Sequence, residues 1–152
     1  MSHGSAQNTA SISTEAVREE VLQRILIADD HEPFRRSLRR LLERAGHQVH
    51  EAADGVEAIA VLQQQPIDVV LLDILLPGKD GLETMREIRA AWPRVKVIAM
   101  SGGGMCGAGL YLDMSLKLGA AQILQKPFPF AALQGALRKL LQAPAQPAAD
   151  SR

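Results

Sequence analysis

The chain has 152 residues, 47% of them hydrophobic, and its 17 Lys and Arg balance its 17 Asp and Glu. That length and composition suit one globular domain and exclude a disordered chain, while the zero net charge removes any general attraction to nucleic acid or an anionic membrane. No apolar run approaches the roughly 18 residues of a membrane span, no secretory segment follows Met1, and the single cysteine, Cys106, excludes a disulfide framework or a cysteine-ligated zinc, so a cytoplasmic protein is expected.

Residues 1–21 are rich in Ser, Ala and Thr and read as a flexible N-terminal arm, with Ser2-His3-Gly4-Ser5 resembling an expression remnant. Within and just beyond it, Glu15 to Leu22 suggest no more than a helical turn or two. Ile25-Leu26-Ile27-Ala28 is a short apolar strand, followed by Phe34, Leu38, Leu41, Leu42 and Ala45 at helical spacing, with Gly46 as the stop. Gln48 to Ala52 is a weaker strand. Asp54 and Glu57 form a capping-box pattern that opens a helix through Ile59, Val61 and Leu62. The run Ile67-Asp68-Val69-Val70-Leu71-Leu72-Asp73 is a buried strand, and Asp80 with Glu83 caps a helix from Leu82 to Ala91, closed by Pro93. Val95 to Met100 is a fourth strand. A glycine-rich loop then leads to a helix over Leu110–Leu118, a fifth strand at Gln122–Gln125, and a last helix carrying Phe130, Leu133, Leu137, Leu140 and Leu141 on one face. The Pro/Ala stretch from Ala143 makes 143–152 a flexible tail around a single domain at 22–142.

Five strand–helix pairs predict an α/β domain: a doubly wound five-stranded parallel sheet with helices on both faces. Four of its strands end in polar residues, namely Asp29-Asp30, Asp73, Ser101 and Lys126. Ligands of such sheets bind beyond the carboxyl ends of the strands, at the switch in strand order. In the order 2-1-3-4-5 that switch lies between strands 1 and 3, so Asp29, Asp30 and Asp73 share one pocket. Three crowded carboxylates repel unless a cation compensates them. A hard oxygen cluster with room for water suits Mg²⁺, which also neutralises an incoming phosphoryl group. Asp73 then has the chemistry of a carboxylate nucleophile, Lys126 supplies a point charge and Ser101 a hydroxyl donor.

Plainer readings stand beside these. Asp54 and Asp80 read as caps, and Asp29-Asp30 also fit a cap before the Pro33 helix. Arg35, Arg36, Arg39, Arg40 and Arg44, interleaved with Glu43, read as a solvated face. Gly102-Gly103-Gly104-Met105-Cys106-Gly107 matches a dinucleotide-binding pattern, but after the fourth strand and with no acid about 20 residues on. Ala99-Met100-Ser101-Gly102-Gly103 lacks the later histidine that a hydrolase elbow requires. His31, His47 and His50 have no metal-ligand spacing.

Taken together, Ile27-Ala28-Asp29-Asp30, Asp73-Ile74-Leu75-Leu76-Pro77-Gly78-Lys79-Asp80-Gly81, Ala99-Met100-Ser101-Gly102 and Lys126-Pro127-Phe128 resemble a response-regulator receiver domain. The resemblance spans residues 22–142. It implies the flavodoxin-like receiver fold and phosphoryl transfer onto Asp73 from a sensor histidine kinase or histidine phosphotransfer protein. It further implies Mg²⁺ held by Asp30, Asp73 and the backbone carbonyl of Leu75, with Asp29 acting through metal-bound water. Lys126 and Ser101 would hold the phosphoryl oxygens, Ser101 moving inward on activation, and the Lys126–Pro127 bond would be cis. The arginine-rich first helix matches the family's kinase-docking surface.

The chain departs from the family at Ile123, where an aromatic switch residue is usual, and in the long glycine-rich loop over 102–109. Ordering of that loop by phosphate is the expected substitute for the aromatic switch. Leu75 and Gly103 stand where the family tunes hydrolysis, and neither side chain positions a water, so a long-lived phosphoryl state is expected. The flanking segments are too short for an output domain, so a single-domain regulator acting through contacts with a target protein is expected, unless the natural chain is longer. The only catalysis expected is its own phosphorylation and dephosphorylation. A homodimer through the 110–142 face is left open. The alternatives are an unphosphorylated receiver-like scaffold and a phosphorelay shuttle without its own output.

Overall fold

The computed structural model describes residues 22–75, 81–102 and 108–142. The arm at 1–21, the tail at 143–152, the Asp80 cap, Cys106, Gly103 and most of the glycine-rich loop lie outside these residues. Strands β1 (Arg24–Ala28), β2 (Gln48–Ala52), β3 (Val69–Asp73), β4 (Lys96–Gly102) and β5 (Gln122–Lys126) alternate with helices α1 (Glu32–Arg44), α2 (Gly55–Gln64), α3 (Gly81–Ala91), α4 (Ala108–Lys117) and α5 (Phe130–Gln142). They form one five-stranded sheet in the order β2-β1-β3-β4-β5, with every pair parallel, as expected.

Side chains alternate across the strands and sort the core into two layers. Ile25, Ile27, Val69, Leu71, Ile98 and Met100 face one side, where Leu38 and Leu42 of α1 and Leu133 and Leu137 of α5 cover them. Leu26, Ala28, Val70, Leu72, Val97 and Ala99 face the other, against Leu62 of α2 and Met85 and Ile88 of α3. All five residues of β3 are buried, so its continuous apolar run is the consequence of two covered faces.

Helix α2 starts where the capping box predicts. Asp54 Oδ1 accepts the Glu57 N–H at 2.8 Å, and the Glu57 carboxylate reaches back to the Ala53 N–H at 2.7 Å. Several boundaries differ from the sequence reading by a residue or two. Ladder pairing in β3 begins at Val69, and β4 runs on through Ser101 and Gly102 because these pair with Gln125 and Lys126 of β5. That extension carries Ser101 and Lys126 to the same end of the sheet as Asp73.

Glycine is required at the start of α3. A Cβ on Gly81 would stand 2.4 Å from Ile74 Cα, so the helix abuts the backbone that leaves β3. Ile74 directly precedes Leu75, so the start of the helix lies against the backbone beside that residue.

Candidate functional site

The strand order makes β1 and β3 neighbours although β2 lies between them in sequence. The residues at their carboxyl ends therefore meet. One carboxylate oxygen from each of Asp29, Asp30 and Asp73 lies within 4.8 Å of the others. Asp29 is fully buried and Asp73 nearly so, while Asp30 is exposed. From the end of β5, Lys126 reaches the same point, with Nζ 2.5 Å from Asp29 Oδ2 and 3.3 Å from Asp73 Oδ2. The Lys126–Pro127 peptide is cis.

Backbone groups orient two of the acids. Asp29 Oδ1 accepts the His31 N–H and Asp73 Oδ1 accepts the Leu75 N–H, both at 2.9 Å. Burial pushes the Asp73 carboxyl above its ordinary value, with Asp29 adding to the effect, while the Leu75 N–H and Lys126 act in the opposite direction. One ammonium thus faces three carboxylates, two of them out of water.

Asp29 is not a helix cap. Its two oxygens are taken by His31 N–H and Lys126, and the cap of α1 falls to His31, whose Nδ1 accepts the Phe34 N–H at 3.3 Å. Ser101 is fully buried at the end of β4, but its hydroxyl bonds to the Gly102 carbonyl at 3.4 Å and not to Asp73. Leu75 is about half exposed at the rim.

The solvated-face reading of the α1 arginines fails at Arg35. Its Nη1 donates to the Asp29 carbonyl at 2.8 Å and its Nε to Glu51 Oε1 at 2.6 Å. Arg39 joins Glu51 at 2.8 Å and Glu43 at 2.9 Å. Burial alone would raise the Glu51 carboxyl; Arg39 and Arg35 together hold it below its ordinary value. Arg36 and Glu32, well exposed, do form the expected solvated pair. Phe34 was legible only as a core position. Its ring lies 4.4 Å from Lys126 Nζ and meets Phe128 edge to face at 6.0 Å. Ile123, in place of the aromatic, packs partly buried against the α2–α3 layer.

The donor set fits a magnesium-type cation. It is all oxygen, it carries more negative charge than Lys126 balances, and it combines two buried carboxylates with an exposed one on the solvent side.

The sequence profile of the response regulator receiver domain matches residues 25–138. The chain belongs to the response regulator receiver family. Sporulation initiation phosphotransferase F of Bacillus subtilis is 33% identical over 122 residues, covering 78% of this chain and 94% of the relative. Response regulator MprA of a Mycobacterium species is 34% identical over 119 residues, and there the receiver match spans 78% of this chain but only half of the relative. Among solved structures, a CheY-like receiver domain protein of Methanospirillum hungatei superposes with a TM-score of 0.71 at 29% identity, covering 80% of this chain and 94% of that one. The receiver domain of the sensor histidine kinase PA1611 of Pseudomonas aeruginosa, which has magnesium coordinated in its active-site cleft, gives 0.71 at 31% identity, covering 80% and 99%. This chain is thus a receiver domain of two-component signalling, a family that works with histidine kinases or phosphotransfer proteins. Among its described residues no helix is long and apolar enough to cross a membrane.

Proposed function

We propose that residues 22–142 form a phosphorylation-switched receiver module in which Asp73 accepts a phosphoryl group from a histidine kinase or phosphotransfer protein. The observation that carries this reading is the meeting of Asp73 with Asp29, Asp30 and Lys126 at the β1–β3 switch point. Asp73 Oδ2, on the Lys126 side, attacks phosphorus. The oxygen–phosphorus bond forms as the donor's phosphorus–nitrogen bond breaks, and that electron pair returns to the donor imidazole. Lys126 meets the charge on the phosphoryl oxygens, and Ser101 turns from the Gly102 carbonyl to donate to one of them.

Asp30, Asp73 and the Leu75 carbonyl would hold Mg²⁺, with Asp29 acting through a bound water. The cation would neutralise charge on the transferring group. Output through contacts with a target protein, or onward relay of the phosphoryl group, follows from the same acyl phosphate. The likeness to a sporulation phosphotransferase over nearly its whole length supports the relay form. Exposed Met114 and Leu116 on α4 support a homodimer through the 110–142 face, tested by the concentration dependence of sedimentation.

Intact mass after exposure to acetyl phosphate and Mg²⁺ tests the central step. One added phosphoryl group, absent in Asp73→Asn, is expected. A chain that gains none, or gains one in Asp73→Asn as well, overturns the assignment and favours a scaffold.

A further inference from the structure

Lys126 is the only cation with a contact to Asp29 or Asp73 side chains among the described residues. Besides those two carboxylates, its ammonium stands over the face of Phe34, with Nζ 4.4 Å from the ring centroid, well inside the roughly 6 Å reach of a cation–π contact. A lysine carries its charge on a flexible four-carbon stem, so its placement depends on what confines the ammonium.

Phe34 is well placed to confine it. It is the third residue of α1, and its backbone N–H is tied to the His31 cap. Its side chain packs against the α1–α5 layer, and Phe128 meets it edge to face at 6.0 Å with an interplanar angle of 89°. One ring therefore touches residues on both sides of Pro127. An aromatic ring offers its negative face to the ammonium yet cannot take its proton or compete as a carboxylate would.

Resting on the phosphoacceptor reading of Asp73, we infer that Phe34 is a positioning residue for Lys126, whose ring face aims the ammonium at the phosphoryl group on Asp73. The role requires the ring's negative face, and apolar bulk at position 34 does not fulfil it.

The test measures initial rates of phosphorylation of the full chain by acetyl phosphate with Mg²⁺, as a function of donor concentration. Phe34→Leu keeps the apolar packing and should lower the maximal rate roughly three- to tenfold, while Phe34→Tyr keeps it. Ring-fluorinated phenylalanines at position 34 withdraw charge from the face at nearly constant size, and the rate should fall stepwise with fluorine number. The ε-methylene protons of Lys126 should show an upfield ring-current shift that Phe34→Leu abolishes, a readout independent of phosphorylation. A Phe34→Leu rate equal to the parent, a flat fluorine series, or unshifted Lys126 protons each overturn the inference while leaving Asp73 as phosphoacceptor. A parent chain that takes up no phosphoryl group overturns the Asp73 reading, and the positioning role with it.

Discussion

The Lys126 ammonium stands closer to Asp29, at 2.5 Å, than to Asp73, at 3.3 Å. That ammonium is thus committed mainly to the acid that has no nucleophilic role in the proposal. Asp73 is left nearly buried and incompletely compensated, which is why its carboxyl sits above the ordinary range.

That imbalance has a sign for stability. A carboxyl raised by folding opposes the fold when ionised. The penalty is absent below the unfolded value near 3.8, grows as pH rises through the folded value, and is complete above it. Asp73→Asn removes the charge and is expected to stabilise the metal-free protein at pH 7 by about 1 kcal/mol. Millimolar Mg²⁺ should stabilise the parent by mass action and the variant much less. Urea midpoints with and without Mg²⁺ check both arms, and a variant less stable than the parent in metal-free buffer would contradict the account.

Gly81 ties the α3 helix to the site. Its missing Cβ leaves room for the Ile74 backbone, whose N–H is bonded to the Met100 carbonyl at 3.0 Å. Gly81→Ala forces backbone apart and is expected to cost about 2 to 3 kcal/mol. Because the displaced segment leads into Leu75, Mg²⁺ affinity should fall with it. A denaturation midpoint unchanged from the parent would show that the contact relaxes without cost.

The fold was legible because its signals are local. The unbroken apolar run of β3, the Asp54–Glu57 box and the glycine stops each act within a few residues. The acidic pocket was legible because every member ends a strand, and strand ends of a parallel sheet share one edge. What escaped was set by distant partners. Arg35 looked like one of five solvated arginines until β2 brought Glu51 to its guanidinium. The cap of α1 is His31, while the Asp29 carboxylate is shared with Lys126, 97 positions away. Nothing near Phe34 in sequence announces a lysine on its ring.

His47 shows a similar distant pairing and gives a pH dependence. It is buried after α1, and its Nδ1 accepts the Gln23 N–H at 3.0 Å. Burial lowers its pKa below the ordinary 6.5. A histidine held neutral by the fold contributes its full stability above the unfolded value and loses it as pH falls from there through the folded value. Stability should therefore decline as pH drops below about 6.5. His47→Asn keeps an acceptor for Gln23 but does not titrate, so its urea midpoint should change less between pH 7.5 and 5.5. Equal slopes for parent and variant would assign the acid sensitivity elsewhere.

The lifetime of the acyl phosphate turns on Leu75. Hydrolysis needs a water aimed at phosphorus from the side opposite Asp73, and a side chain that hydrogen-bonds that water speeds the reaction. Leu75 stands two residues beyond Asp73, half exposed at the rim, and offers neither donor nor acceptor from its side chain. Its N–H is already given to Asp73 Oδ1. The phosphorylated chain should therefore persist for minutes or longer in Mg²⁺ buffer. Leu75→Asn or Leu75→Glu places a polar group at the rim without touching the buried acids, and should accelerate loss of phosphate roughly three- to tenfold, a modest part of what positioned acid–base groups supply. Intact mass followed over time after removal of the phosphodonor reads both. A parent half-life of seconds, or a variant that decays no faster, would mean that another group already positions the water.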